Sequence, residues 1–175
     1  MTDASQEPAT QVNKQFPQVI FALGPPGVGK GTICKRLAQN FGWYHLSVGD
    51  YLRELDNSTA ALSKAQCGNM PPEDLLSHLK ANKLVPGKTI ADIVEYKVRS
   101  VQEQGFNKIL IDGYPREKES AKLFDQTFGR PIKIVRFGCV KATAKARFTD
   151  RKRGTDNDEI FERRYAEFVE NNRII

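Results

Sequence analysis

The residues with the clearest chemical potential form a glycine-rich run that ends in a lysine and a threonine. The run reads Gly24-Pro25-Pro26-Gly27-Val28-Gly29-Lys30-Gly31-Thr32. Glycines permit unusual backbone angles and leave no side chain in the way, so successive backbone N–H groups can surround an anion. The lysine adds a full positive charge beside the phosphates. The spacing predicts a triphosphate site formed by Gly24, Gly27, Val28, Gly29, Lys30, Gly31 and Thr32.

A carboxylate that could serve a metal ion stands at the end of a short apolar run. Asp112 closes the segment Lys108–Asp112 (KILID). Mg²⁺ prefers carboxylate oxygens and retains several of its waters. We therefore expect Asp112 and Thr32 to bind Mg²⁺ through water. A turn-forming aspartate at the end of a strand is the alternative interpretation.

Five arginines are candidates for binding phosphate groups. A guanidinium offers a planar fork of donors that matches phosphate oxygens, and several together could balance the charge of a phosphoryl group during its transfer. Taken from the residues alone, each could equally belong to a solvated helix face. The five are Arg53, Arg116, Arg151, Arg153 and Arg164.

Alternating apolar runs and amphipathic patterns predict the elements that position these residues. Strands are predicted over 19–23, 43–48, 108–112 and 131–139. Helices are predicted over 30–41, from Pro71 onward, and over 88–104, 117–128, 141–151 and 158–172. In the first helix, Ile33, Leu37 and Phe41 lie four residues apart on one side, and Gly42 ends it. Strands that alternate with helices predict an α/β fold, with a parallel sheet covered by helices.

The glycine run departs from the general P-loop pattern at one position, and this reduces the number of families it could belong to. Gly31 follows Lys30 directly, and the hydroxyl comes one residue later, on Thr32. This arrangement resembles the nucleoside monophosphate kinases, above all adenylate kinase, whose loop reads Gly-x-Pro-Gly-x-Gly-Lys-Gly-Thr. Three further segments resemble motifs of that family. They are HLSVGDYLR at 45–53, Leu84-Val85-Pro86, and DGYPRE at 112–117.

The resemblance implies a P-loop NTPase fold with three layers, a parallel sheet and helices on both faces. It implies one domain over 19–175 after a flexible tail over 1–18. A small helical monophosphate-binding insertion would span 50–86, and a very short lid would span 151–157. In the family, one more strand and a final helix follow the segment that ends here.

The resemblance also implies reversible phosphoryl transfer from ATP-Mg²⁺ to a nucleoside monophosphate. The residues expected to be catalytic are Lys30, Arg116, Arg151, Arg153 and Arg164. The acceptor would be bound by Ser47, Gly49, Arg53, Val85, Gly113, Arg116 and Ser120. The motif DGYPRE is more typical of adenylate kinases than of pyrimidine monophosphate kinases, which favours AMP as the acceptor.

The sequence departs from the family at several acceptor and lid positions. Val48 stands where the family usually has threonine, and Thr155 stands where the lid usually has aspartate. Ser120 occupies the place of the amide that reads the acceptor base, and a serine is too short for the same two-point contact.

Composition limits the other possibilities. The chain has 175 residues and a net charge of +6, which suits phosphate-rich ligands. No apolar run approaches the roughly 20 residues of a membrane span. Three cysteines without metal-type spacing suggest reduced thiols in a cytoplasmic protein.

We expect a monomer, unless a partner completes the sheet, and no nucleic-acid partner. Two alternatives stay open: a weak or inactive nucleotide-binding or interaction protein on the same fold, and an RNA-associated P-loop ATPase.

Overall fold

Four parallel strands form the middle layer of the molecule. They are β1 (Gln18–Leu23), β2 (Tyr44–Ser47), β3 (Lys108–Asp112) and β4 (Lys133–Arg136), in the spatial order β2-β3-β1-β4. The computed structural model describes residues 16–58, 60–81, 83–151, 153 and 156–171. Most of the predicted tail (1–15) and residues 152, 154 and 155 of the predicted lid lie outside these ranges.

Helices cover both sides of this sheet, as the sequence predicts. The strand register pairs Ala22 with Asp112 and Ser47 with Asp112, so the carboxyl ends of β1, β2 and β3 meet at one edge. The helices are α1 (Lys30–Phe41), α2 (Val48–Asp56), α3 (Pro72–Lys80), α4 (Gly87–Glu103), α5 (Lys118–Phe128), α6 (Lys141–Asp150) and α7 (Asp158–Asn171). A short 3₁₀ helix spans Lys64–Cys67.

The central strand β1 is buried on both faces. Val19, Phe21 and Leu23 join the main core on one face, together with the apolar side of α4. Ala22 faces the other way and packs with Cys34 of α1 and Leu110 of β3. This explains the continuous apolar run of β1, since a parallel strand between two helical layers has no polar face.

The apolar side of α1 is not the face that packs on the sheet. Ile33, Leu37 and Phe41 are exposed, Phe41 by 67%. The helix contacts the strands through Cys34 and Ala38 instead, which are buried. Small side chains let the helix approach the sheet closely, and the periodicity of the sequence does not reveal this.

The fourth strand is shorter than the predicted 131–139. β4 spans Lys133–Arg136 and pairs with β1, and Ile134 is 43% exposed. Just before it, the N–H of Ile132 donates to the carbonyl of Val19 at 2.8 Å.

The segment between β2 and α4 forms a helical lobe at the carboxyl edge of the sheet. It contains α2, the 3₁₀ helix and α3, and the sequence does not predict α2 as an element. Val48, Tyr51 and Leu55 anchor α2 in the main core, and Leu75 does the same for α3. In the part of the chain that the structure describes, no helix combines the length and apolar character needed to cross a membrane.

Candidate active site

The glycine-rich loop links the end of β1 to the start of α1 and folds tightly. Gly27 has φ 77°, and a β-carbon there would collide with the carbonyl oxygen of Ala144. Gly29 has φ 94° and precedes the first residue of α1. Both angles lie in the left-handed region that favours glycine. The close approach to α6 and the backbone angle together explain why position 27 requires glycine.

A cavity of about 590 Å³ opens over this loop, and we name it the P-loop cavity. Its volume is within the range of small-molecule sites. Backbone N–H groups at the N-terminus of α1 favour an anion at its floor. Every residue predicted for the triphosphate lines it: Gly24, Gly27, Val28, Gly29, Lys30, Gly31 and Thr32.

Lys30 lines this cavity, and its ammonium group turns back to bind the loop. Its Nζ donates to the carbonyls of Gly24 at 2.8 Å and Pro25 at 3.0 Å. Burial lowers the pKa of Lys30 from 10.5 to about 8, and the charge of Asp112 opposes this shift. Burial also raises the pKa of Cys34 to about 12. Cys34 is therefore a neutral thiol at the pH where Lys30 titrates.

Asp112 lies at the end of β3, facing the P-loop cavity, and is 6% exposed. His45 Nε2 lies 3.4 Å from its Oδ2. Among the described residues, no group of three or more histidine, cysteine or acidic side chains could hold a metal. One carboxylate and the Thr32 hydroxyl leave most of a coordination sphere to water and phosphate. That donor set fits Mg²⁺, which keeps several waters, better than a metal that needs a protein cage.

A second cavity of about 550 Å³ adjoins the first, and we name it the lobe cavity. The helical lobe forms one wall, and the starts of α4 and α5 form another. Of the residues predicted for the acceptor, Ser47 lines the P-loop cavity instead, and its hydroxyl accepts from the N–H of Asp50 at the start of α2. The others line the lobe cavity: Gly49, Arg53, Val85, Gly113, Arg116 and Ser120.

The two cavities share a wall of arginines. Arg151 lines the P-loop cavity. The other four candidate arginines line both cavities: Arg53, Arg116, Arg153 and Arg164. Residues from α2, the loop after β3, the α6–α7 connection and α7 thus converge where the cavities meet. The structure brings together all five of the arginines that the sequence nominates.

Acidic side chains hold these arginines in place. Asp156 is nearly buried, with its Oδ2 2.6 Å from Arg151 Nε and its Oδ1 3.9 Å from Arg164 Nη1. Asp50 binds Arg53 and lies 3.4 Å from Arg153 Nη1. A bound carboxylate keeps a long cationic side chain in one geometry before a phosphate arrives.

The same contacts set the protonation of the site. Burial alone would raise the pKa of Asp50, but hydrogen bonds to Arg53 and Ser47 and the charges of Arg53 and Arg153 lower it. Burial lowers the pKa of Arg116 and Arg164 below the usual arginine range. A guanidinium in a protein nevertheless stays protonated, so both side chains are cations in the cavity wall. Such cations gain most from an anionic ligand.

Ser120, predicted to face the acceptor base, is 1% exposed and already hydrogen bonded. Its hydroxyl donates to the carbonyl of Glu117 at 2.9 Å. Its own carbonyl accepts from the Tyr114 hydroxyl at 2.6 Å. The hydroxyl proton is therefore committed to the backbone at the start of α5.

Four acidic residues that line the cavities were not nominated from the sequence: Asp50, Asp56, Glu117 and Glu167. Asp50 was inside the HLSVGDYLR motif, and its spacing of three from Arg53 on a helix could have revealed the pair. Asp56 and Glu117 line the lobe cavity. Their placement depends on how α2 and the start of α5 are arranged around this cavity, for which the sequence offers no local signal.

Comparison with known proteins agrees with this geometry. A sequence profile of the family described as "Adenylate kinase" matches residues 22–175. The chain belongs to the adenylate kinase family, which is a family of nucleoside monophosphate kinases.

Individual relatives carry two kinds of name. A "UMP-CMP kinase" of Prunus armeniaca is 32% identical over 91% of this chain and 64% of its own length. A "Uridylate kinase" of Schizosaccharomyces pombe is 34% identical over 86% of this chain and 78% of its own length. "Adenylate kinase isoenzyme 1" of Homo sapiens is 33% identical, with 84% and 73% covered. The chain thus spans about two thirds to three quarters of the length of these relatives.

Proposed function

We propose that the protein transfers a phosphoryl group reversibly from ATP-Mg²⁺ to a nucleoside monophosphate. The observation that carries this proposal is the shared arginine wall. One cavity has a P-loop, the other lies under the helical lobe, and Arg53, Arg116, Arg153 and Arg164 line both. Two phosphate groups held on either side of that wall would face one another, which is what direct transfer requires.

In this mechanism the donor phosphates lie on the loop. Backbone N–H groups of the loop and the start of α1 bind the β- and γ-phosphates, and Lys30 adds a cation. Arg151 and Arg164, fixed by Asp156, follow the charge as the phosphoryl group moves. Arg153 lies across the cavity junction, on Asp50, and serves the same purpose. Preorganised cations cost no rearrangement at the moment of reaction.

The acceptor's phosphate binds to Arg53 and Arg116. Arg116 is positioned by a hydrogen bond from its Nε to the carbonyl of Gly113 at 3.2 Å. No covalent intermediate and no general base are required, because the acceptor's phosphate oxygen is already anionic. Residues 50–86 act as the acceptor-binding lobe and residues 151–157 as a short lid, and together they exclude water from the transfer.

Asp112 and Thr32 are the residues that would bind Mg²⁺, through its waters. The ion supplies charge neutralisation of the donor phosphates when bound. The charge of Lys30 and the ring of His45 lie close to the Asp112 carboxylate and hold it in position at the end of β3.

The names of the relatives favour UMP and CMP as acceptors over the AMP expected from the DGYPRE motif. UMP-CMP kinases and a uridylate kinase stand beside adenylate kinases among proteins about one third identical to this chain. We propose a pyrimidine monophosphate as the main acceptor, with AMP as the alternative.

The test is a coupled assay of ADP formation from ATP with each of CMP, UMP, AMP and GMP, using the protein at its natural length. Lys30→Ala should abolish turnover. Lys35→Ala removes an exposed lysine from the same helix, five residues along, and should leave turnover unchanged. Nucleotide binding by calorimetry with no turnover would overturn the kinase proposal in favour of a binding protein. ATPase activity that rises with RNA would instead favour an RNA-associated ATPase.

A further inference from the structure

We propose that two carboxylates, Asp56 and Glu117, select an acceptor base that carries an exocyclic amino group, so that CMP is preferred over UMP. This rests on the proposed function, because it assumes that the lobe cavity holds the acceptor nucleotide. Both residues line that cavity. The amide that the family resemblance implies at position 120 is absent, so base reading must come from other side chains.

Asp56 is the first part of the argument. It is the last residue of α2 and follows Arg53 by about one helical turn. Its Oδ1 is buried and has no hydrogen-bond partner. Buried polar groups in proteins are almost always satisfied, so an orphan carboxylate oxygen needs an explanation. Asp56 as a whole is only partly buried and lines the lobe cavity. A rotation of its carboxylate about the Cβ–Cγ bond would present Oδ1 to a donor in that cavity.

Lysines do not neutralise Asp56. Lys80 and Lys83 line the same cavity, but within the described ranges neither forms an ion pair with it. Both are exposed and end in long flexible side chains. These lysines are the groups that could instead attract a carbonyl oxygen of uracil, and the experiment below separates the two possibilities.

Glu117 adds the second carboxylate. It precedes α5 and lies against the first residue of α4, where a β-carbon on Gly87 would collide with its Oε1. Gly87 therefore makes room for this carboxylate. The N-terminal end of α4 favours a negative charge at that place. The carboxylate is thus held in the cavity wall that Val85 and Ser120 also line.

Ionised carboxylates can only accept hydrogen bonds, so they recognise donor groups on a ligand. Cytosine presents an N4 amino group, whereas the same position of a uracil-type base is the O4 acceptor. Adenine likewise presents an N6 amino group. The N4 amino group has two N–H donors that carboxylates in this wall can bind. Uracil offers one donor on the same edge, N3–H, and that donor lies between two carbonyl oxygens that a carboxylate repels. Sites built for a hydrogen-bond partner reject analogues that cannot provide it.

The experiment compares nucleotide pairs in which an amino group is exchanged for an oxo group and the adjoining ring nitrogen gains a proton, CMP with UMP and AMP with IMP. Dissociation constants are measured by calorimetry with a non-hydrolysable ATP analogue and Mg²⁺ present, and kcat/KM by the coupled assay. We expect the wild type to prefer the amino member of each pair by about tenfold or more. Asp56→Asn and Glu117→Gln should each lower that ratio by at least about threefold, with Arg53-dependent phosphate binding retained.

The matched control is Glu54→Gln, which removes the same charge from an exposed position of α2 outside the cavity. It should keep the wild-type ratio. Equal binding of CMP and UMP by the wild type, or an unchanged ratio in both cavity variants, would overturn the assignment. Selective binding without any diphosphate product would support the base-reading role while the proposed kinase function failed.

Discussion

The affinity for ATP should fall with rising pH because of Lys30. Burial lowers the pKa of this lysine from 10.5 to about 8. Phosphate oxygens favour the cationic form, so nucleotide binding raises that pKa again. Above pH 8, ATP must therefore bind together with a proton. Below pH 8 the lysine is already charged, and affinity should level off.

The size of the effect follows from the pKa. Lys30 is about nine-tenths charged at pH 7 and about one-tenth charged at pH 9 if its pKa is about 8. The affinity should drop about tenfold between these values, which corresponds to about 1.4 kcal/mol. Calorimetry with a non-hydrolysable ATP analogue at pH 7, 8 and 9 measures it. Repeating the titration in buffers of different ionisation enthalpy should show proton uptake at pH 9.

Lys30→Arg provides the control, because a guanidinium is charged across this range. It should bind more weakly than the wild type, but with no decline from pH 7 to 9. Cys34, whose pKa lies at about 12, does not titrate in this window. A wild-type decline of less than about twofold, or an equal decline in Lys30→Arg, would refute the inference that a buried lysine controls donor binding.

Three further predictions concern the frame of the site. Gly27→Ala should destabilise the fold by more than about 2 kcal/mol in urea unfolding, because backbone strain and a collision with Ala144 combine. The control is Gly42→Ala, at φ 66° with open space around it, which should cost only about 1 kcal/mol. Equal losses of stability in the two variants would contradict this prediction. Tyr114→Phe should lower the free energy of unfolding by about 1 kcal/mol, because the buried carbonyl of Ser120 loses the hydroxyl donor that lies 2.6 Å away. An unchanged free energy of unfolding would show that water replaces the hydroxyl. Asp156→Asn should reduce kcat by about tenfold or more, because it releases Arg151 and Arg164. The control Asp158→Asn removes an exposed partner of Lys145 and should change kcat by less than about twofold. Similar effects of the two variants in steady-state kinetics would argue against a positioning role for Asp156.

The sheet and the P-loop could be predicted because their signals are local. β3 runs over Lys108–Asp112 as predicted, since an apolar run between a lysine and an aspartate sets both ends. The loop motif includes the strand before it and the helix after it. The site residues in these two segments were therefore found from the sequence.

Features set by tertiary packing could not be read in the same way. Periodicity identifies the stripe of Ile33, Leu37 and Phe41, but it does not reveal that α1 packs through Cys34 and Ala38. The helix α2 is short, and it holds its place by contacts with a distant core. Asp56 and Glu117 line the same lobe cavity although 60 residues lie between them in the sequence.

The acceptor position at Ser120 shows a second kind of limit. A motif can place a residue beside the cavity, but the side chain's hydrogen bonds depend on the local backbone. The Ser120 hydroxyl binds the Glu117 carbonyl at the first turn of α5. Serine at a helix start commonly bonds to nearby backbone in this manner.

The central claim is that the shared arginine wall directs the donor's terminal phosphoryl group to a second phosphate and not to water. The most direct measurement follows the label from ATP labelled at the γ-phosphate, mixed with Mg²⁺, CMP and the protein at its natural length. The account predicts that the label appears in CDP, and that Lys30→Ala and Arg116→Ala abolish this product. Label that appears only as inorganic phosphate, at the same rate with or without CMP, UMP or AMP, would contradict it.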